Sequence, residues 1–258
     1  MTAAHSPCVR EVTYGPRLLQ PRHAHAETTV TLVVAGSLRE TVGRTQEIAR
    51  ALSVVVKPCD TEHADEFGDA GARTLQISLT GRVAADLLEW ESAARTWRWT
   101  HAGPAVPAFL RLFAVVRANP RDEARIEQGV TDVLSTLREV PDDSRDEPPG
   151  WLRRVREEID DTAAAVRVRD LAARAQVHPV YLARQFRRFY RSSVVSYIQR
   201  QRVTRAANLI GSSSLPLSAV AFHAGFADQS HLTRSFRVGT GFSPGAYAGF
   251  IRSRPPRA

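Results

Sequence analysis

Two cysteines, one methionine and one lysine are all that this chain of 258 residues contains of those three types. Cys8 and Cys59 are too few for a disulfide framework, and their scarcity fits a reducing compartment. Long apolar runs are missing too. None approaches the roughly 20 residues that a bilayer-spanning helix needs, so no membrane protein is expected. The N-terminal stretch MTAAHSPCVREVTYG has no charged start followed by an apolar core. It does not read as a secretory signal, and a cytoplasmic location is expected. There is no GxxxxGK phosphate loop, and no nucleophile, base and orienting group stand together as a triad, so enzymatic turnover is not expected.

What is there is arginine, and it is unevenly placed. Residues 151–258 carry eighteen arginines against six acidic residues, a net +12, whereas the first 150 residues carry seventeen basic against twenty-one acidic residues, a net −4. A genome biased towards arginine would act on both halves, and only one is basic. A basic domain is drawn to polyanions, of which double-stranded DNA is the commonest in the cytoplasm. The segment VPDDSRDEPPG, 140–150, lies where the charge changes sign, is rich in Pro and Asp and reads as a linker.

The two halves also differ in periodicity. Short β-rich runs at 29–36, 37–43, 53–56 and 72–79, the first two joined near Gly36, suggest an antiparallel sandwich or barrel. Helices are expected over 84–99 and 105–138, the latter divided at Pro120, with Ile126, Val130, Val133, Leu134 and Leu137 at helical spacing. Their apolar faces need a cover, either the barrel or a second copy in a homodimer. Beyond the linker every run reads helical: 151–161, 168–176, 179–190, 193–210, 217–224, 229–237 and 244–252. The expected organisation is an α+β two-domain chain. A sensor domain spans 1–100, a helical dimerisation segment 101–140, a linker 141–150 and an all-α domain 151–258.

The all-α half contains a duplication. LAARAQVHPVYLARQF (171–186) and VAFHAGFADQSHLTRSF (220–236) share a layout, and the register continues at a separation of 50 residues, Ser193 matching Ser243 and Tyr197 matching Tyr247. Each copy is a small-residue helix, a tight turn and a helix with an apolar inner edge, which is the helix-turn-helix pattern. Leu182, Phe186, Leu232, Phe236 and Tyr247 read as core. The outer edge of the second copy carries Gln229, Ser230, His231 and Arg234, followed by Arg237; that of the first carries Val180, Tyr181, Ala183 and Arg184, followed by Arg187, Arg188 and Arg191. The N-terminal part of such a helix enters the major groove, where Arg forks to guanine and Gln to adenine, while flanking arginines hold phosphates.

The string AxxxGFADQSHLTRSFRxxxGFSPxxY in the second copy resembles the signature of the AraC/XylS family of transcription regulators, and the first copy with YIQRQRVTRAANLI behind it resembles the rest of that domain. The resemblance covers roughly 150–254. It implies two helix-turn-helix units joined by the helix 193–210 and entering adjacent major grooves. By position, the base-reading residues it implies are Val180, Ala183 and Arg184 in the first unit, and Gln229, Ser230, His231 and Arg234 in the second. It also implies dimerisation, and RNA polymerase is the expected further partner of such a regulator. The family's first turn usually holds a glycine, whereas AQVHP here has none.

In the N-terminal half, PRHAHAE (21–27) places His23 and His25 two apart, on one side of a strand, and His63 follows some forty residues later in KPCDTEHADEF. The HxH, a glycine turn and a Pro-x-x-x-x-His on a returning strand resemble a cupin. That resemblance makes His23, His25 and His63 candidate ligands of a divalent metal, with Glu27 displaced from the usual carboxylate position. Cys59 is read as a fourth ligand, a redox-sensitive thiol or a buried inert side chain. The leading reading is therefore a sequence-specific regulator. It has a cupin-like barrel with trailing helices that senses a small-molecule or metal effector, and it requires no cofactor. A cupin metalloenzyme with a DNA-binding appendage and an architectural DNA-coating protein are the alternatives.

Overall fold

The computed structural model describes residues 8–79, 97–138 and 147–252. Its N-terminal half is organised by β3 (Thr28–Val42), fifteen residues long, which runs antiparallel to β6 (His63–Leu79) from Thr28 opposite Leu79 to Val42 opposite His63. β1 (Cys8–Tyr14) and β2 (Leu19–His23) pair with β6, β4 (Thr45–Arg50) and β5 (Ser53–Lys57) pair with β3, and β7 (Arg98–His101) pairs with β5. The order β1-β6-β3-β5-β7 is an open path. The barrel closure expected from the sequence is not made by the described strands.

Alternation of side chains sorts the sheet into two faces. Val30, Leu32, Val34, Val54, Val56, Leu75, Ile77 and Leu79 face one apolar core. Thr29, Lys57, Gln76 and Ser78, one residue out of phase, line a polar cavity on the other face. The runs 29–36 and 37–43 are one continuous strand and not two. At Gly36 (φ 77°) the register with β6 shifts, and a Cβ there would collide with the Gly71 carbonyl. Glycine thus lets a long strand bend without ending. Of the helix expected over 84–99, residues 84–96 lie outside the described residues. Arg98 and Trp99 are in strand β7, opposite Val56 and Val55. Aromatic and β-branched residues in RWT favour the half-buried sheet edge over a helix.

Helices α1 (Ala105–Ala118) and α2 (Glu123–Arg138) cover the apolar face of the sheet. Phe109, Phe113, Val130, Val133, Leu134 and Leu137 are all buried there, each contributing about 1.5–3 kcal/mol of transfer free energy. The apolar stripes that needed a partner find it within the chain.

The C-terminal half is α3 (Gly150–Thr162), α4 (Val168–Arg174), α5 (Pro179–Tyr190), α6 (Val194–Ser212), α7 (Leu217–Ala224), α8 (Gln229–Thr240) and α9 (Pro244–Arg252). The duplication is visible in the backbone. Val177 N–H donates to Ala172 O (3.0 Å) and Gln176 N–H to Ala173 O (3.0 Å); Phe226 N–H donates to Ala221 O (2.9 Å) and Gly225 N–H to Phe222 O (3.1 Å). This is one Schellman-type stop used twice. Gln176 takes the left-handed conformation (φ 54°) that Gly225 (φ 87°) takes in the second unit, so the missing glycine does not change the turn. Gly225 has a further reason to be glycine, because a Cβ would run into the backbone of Ala164.

The two units are rooted differently. The first has its own core, built from Leu152, Val155, Ile159, Leu171, Leu182, Phe186, Val194 and Ile198. The second shares the core of the N-terminal sheet, with Val220, Leu232, Phe236 and Tyr247 continuous with Val34 and Phe113. The matched tyrosines mark the split. Tyr197 donates its hydroxyl to Asp160 Oδ1 on α3 (2.8 Å), whereas fully buried Tyr247 donates to the carbonyl of Val34 on β3. Ala51 N–H to Asn208 Oδ1 (3.2 Å) and the Arg73 guanidinium to the Ile251 carbonyl add polar ties. Tyr247→Phe is expected to destabilise the whole chain by about 1–3 kcal/mol, the cost of orphaning a buried acceptor. Urea unfolding monitored by circular dichroism checks this; an unchanged midpoint and slope would show that the bond does not hold the second unit to the sheet.

Candidate nucleic-acid interface and histidine cluster

Both outer helices start from a side-chain cap. Asp228 Oδ1 accepts from His231 N–H at 2.7 Å, and His178 Nδ1 accepts from Val180 N–H at 3.3 Å. These caps fix the first turn, from which base contacts would be made. Leu182 and Phe186, and Leu232 and Phe236, point inward and are completely buried. That orientation leaves Val180, Tyr181, Ala183, Arg184, Arg187 and Arg188 exposed on α5, and Gln229, Ser230, Arg234 and Arg237 exposed on α8. Among the described residues, none of Arg184, Arg187, Arg234 and Arg237 pairs with a carboxylate. Four guanidinium groups facing water without counter-charges make a surface suited to an external polyanion.

His231 departs from the rest of its edge. It is half-buried, edge-on to the Phe226 ring at 5.2 Å, and its Nδ1 lies 3.5 Å from the Ala227 N–H. Its side chain braces the turn, while Gln229, Ser230 and Arg234 keep the outer edge. The first unit's edge is less polar, and Tyr181 stacks on Trp151 (5.9 Å between centroids).

The histidines expected to meet do so. His23, His25 and His63 place their ring nitrogens within 4.8 Å of one another. His23 Nδ1–H donates to Pro21 O at 2.8 Å and His63 Nδ1–H to Thr61 O at 2.9 Å. Both Nε2 atoms are therefore left as acceptors, and both are buried without a hydrogen-bond partner among the described residues. This is the tautomer and orientation that second-shell carbonyls impose on ligating imidazoles. Burial pushes the His63 ring down to about 4, and burial with the Lys57 ammonium lowers His25, so both rings are neutral at pH 7. The donor set fits a borderline divalent ion. A tetrahedral zinc–imidazole shell needs nitrogens about 3.4 Å apart, a contraction that side-chain torsions can supply.

Two expected members do not join. Cys59 is exposed and lies outside the cluster, so it is neither a buried inert side chain nor a ligand in this arrangement. Glu27 lies on the cavity wall beside His25 and is not in the cluster. The acids the sequence analysis missed are Asp65 and Glu40. Buried Lys57, the sole lysine, lies 3.1 Å from Asp65 Oδ2 and 2.5 Å from Glu40 Oε1, and 5.3 Å from the Trp97 ring centroid. Burial alone would push the ammonium down, but the two carboxylates outweigh it and hold it above its ordinary range. Asp65 Oδ2 is 3.9 Å from His63 Nε2, and Asp65 Oδ1 is buried without a hydrogen-bond partner among the described residues. Asp65 stands two residues after His63, hence on the same face of β6, and that parity was the available signal. The adjoining cavity holds about 270 Å³ and is lined by Arg10, Tyr14, Gln20, Gln76 and Ser78 as well as His25, Lys57 and Asp65.

Comparison with known proteins bears mainly on the C-terminal half. Residues 171–249 match a family described as a helix-turn-helix domain. The arabinose operon regulatory protein of Salmonella typhimurium is 33% identical over 81 residues, which is 30% of this chain and 29% of that protein. The chain thus matches less than a third of that relative's length. Among solved structures, the C-terminal domain of AraT, a response regulator from Geobacillus stearothermophilus, shares 25% identity, covering 43% of this chain and 92% of its own, with a TM-score of 0.39. ToxT from Vibrio cholerae covers 96% of this chain and 100% of its own at 9% identity and a TM-score of 0.41. No helix among the described residues is long and apolar enough to cross a membrane. Across α7, α8 and α9 the chain thus carries a helix-turn-helix domain that is similar to part of the arabinose operon regulatory protein.

Proposed function

We propose that the protein is a sequence-specific DNA-binding transcription regulator. Its two helix-turn-helix units read adjacent major grooves, and its N-terminal sheet carries the effector site. The observation that carries the reading is the exposed, capped edge of α8. There Gln229, Ser230 and Arg234 stand on one side of a helix whose other side is locked into the core, with neither Arg234 nor Arg237 paired to a carboxylate among the described residues. In this reading Arg234 and Gln229 touch bases, Arg237 and the Arg187–Arg188 pair hold phosphates, and Arg184 is the main polar reader of the first unit. Val180 and Ala183 offer only apolar contact, suited to a thymine methyl. Binding is expected to weaken steeply as salt rises, because phosphate contacts release counterions. Arg234→Ala is expected to cost about 1–3 kcal/mol on the preferred sequence and to relax discrimination at one base pair. Fluorescence anisotropy on a panel of single-base variants of the preferred site checks this; an equal loss on every sequence would make Arg234 a phosphate contact.

The effector site of this reading is the three-histidine cluster with its adjoining cavity, in a sheet of cupin-like pattern. Its support is the pair of buried, unpartnered Nε2 atoms on His23 and His63. A zinc-class ion would be held by His23, His25 and His63, with Asp65 beside them and an open side towards the cavity. Calorimetric titration of zinc into chelator-treated protein is expected to show one site per chain, lost in His63→Ala. Equal binding by that variant would place the metal elsewhere.

A further inference from the structure

A second cavity, of about 430 Å³, lies between α6 and α8 and reaches Ala102 just beyond β7. Its size falls in the range of small-molecule sites, and it is built as such sites are, from an apolar wall with a few polar groups. Val195 on α6 and Val238 on α8 both line it, and they are 59% and 87% exposed. Large aliphatic side chains left open to solvent on two facing elements are the sort of surface that becomes covered. Two polar features stand in the same wall. Gln199 has a buried Oε1 with no hydrogen-bond partner among the described residues. Arg200 is half-buried over the Tyr197 ring, 5.5 Å from its centroid, with no carboxylate partner among the described residues. Arg234 completes the rim.

We propose that this cavity is a second ligand site, specific for a small organic anion with an apolar body. The anionic group would sit between Arg200 and Arg234, the body would cover Val195 and Val238, and a donor on the ligand would satisfy Gln199 Oε1. A DNA phosphate meets the charge but leaves both valines wet, which is why the cavity favours a small amphiphile over the polyanion. The site is separate from the histidine cluster, which lies in the N-terminal sheet. Its consequence rests on the proposed role of Arg234 in DNA reading: ligand and DNA would compete for one guanidinium, so each lowers the affinity of the other by the same factor.

The test uses the full chain and the probe 8-anilino-1-naphthalenesulfonate, an apolar aromatic body with one sulfonate, followed by fluorescence. Wild-type protein is expected to bind it saturably at one site. Arg200→Gln is expected to weaken binding by about tenfold or more, the scale of one lost charged hydrogen bond, and Val238→Asp by about tenfold or more, because it removes apolar cover and sets a like charge beside the sulfonate. Arg10→Gln, in the other cavity, should not weaken it. Circular dichroism confirms that each variant is folded. The uncharged analogue N-phenyl-1-naphthylamine should bind at least about tenfold more weakly than the sulfonate, on the same scale. Wild-type affinity for the sulfonate in both cavity variants would overturn the site, and equal affinity for the two probes would overturn the anion specificity. Addition of the preferred DNA should raise the apparent Kd of the probe. If both variants lose the probe but DNA leaves it untouched, the site stands and it is the DNA contact of Arg234 that fails.

Discussion

The seating of the second helix-turn-helix unit on the N-terminal sheet is the constraint on which the rest of the structure depends. Tyr247 is buried completely, and its hydroxyl has to find an acceptor; it finds the carbonyl of Val34 in the central strand. Around that bond Phe236, Leu232 and Val220 continue the core that Phe109, Phe113 and the valines of β3 and β5 begin. The duplicated tyrosine of the first unit, Tyr197, takes Asp160 of the adjoining helix instead. One duplicated position therefore does two jobs: it closes a self-contained unit in one copy and welds the other copy to a different part of the chain.

This asymmetry gives the proposed regulator a mechanical layout. The second unit is fixed relative to the sheet that carries the histidine cluster, while the first unit has a separate core. Two reading helices bind adjacent grooves only at one relative placement, so any ligand that changes how the first unit sits against the rest changes DNA affinity without touching a base contact. The first unit also has polar neighbours at that boundary. Glu47 on β4 lies 3.6 Å from His101, and burial is offset at Glu47 by His101 and then Arg156 of α3, which together hold its carboxyl below the ordinary range. A charged seam of this kind keeps its geometry only while both sides stay in place, unlike the apolar seam under the second unit.

Much of this was legible in the sequence, because the signals there were local. In the C-terminal half α7 and α8 end at glycine and α5, α6 and α8 start from a capping side chain, and each expected run from 151 to 252 has its counterpart among α3 to α9. The histidine cluster was legible in its residues but not through strand parity, because β2 ends at His23 and His25 lies just beyond it. What was not legible depends on contacts far apart in sequence. Gly36 looked like a turn because the 72–73 segment that accepts its bend lies on another strand. Cys59, open in the sequence to a ligand, a redox-sensitive thiol or a buried inert side chain, is exposed, because its spacing to His63 says nothing about the loop that turns it outward. Lys57, Glu40 and Asp65 come together only when β3, β5 and β6 are paired. Tyr247 reads as core, but no periodicity reveals that its hydroxyl's partner is 213 residues away.

The central claim is that both units read DNA together, and selection from a random DNA library on the full-length protein at physiological salt tests it most directly. The account predicts an enriched motif in two blocks whose centres lie about one helical turn apart, roughly 10 base pairs. A bound pool as random as the input, with binding that collapses as salt rises, would contradict it and reduce the basic half to a phosphate-holding surface.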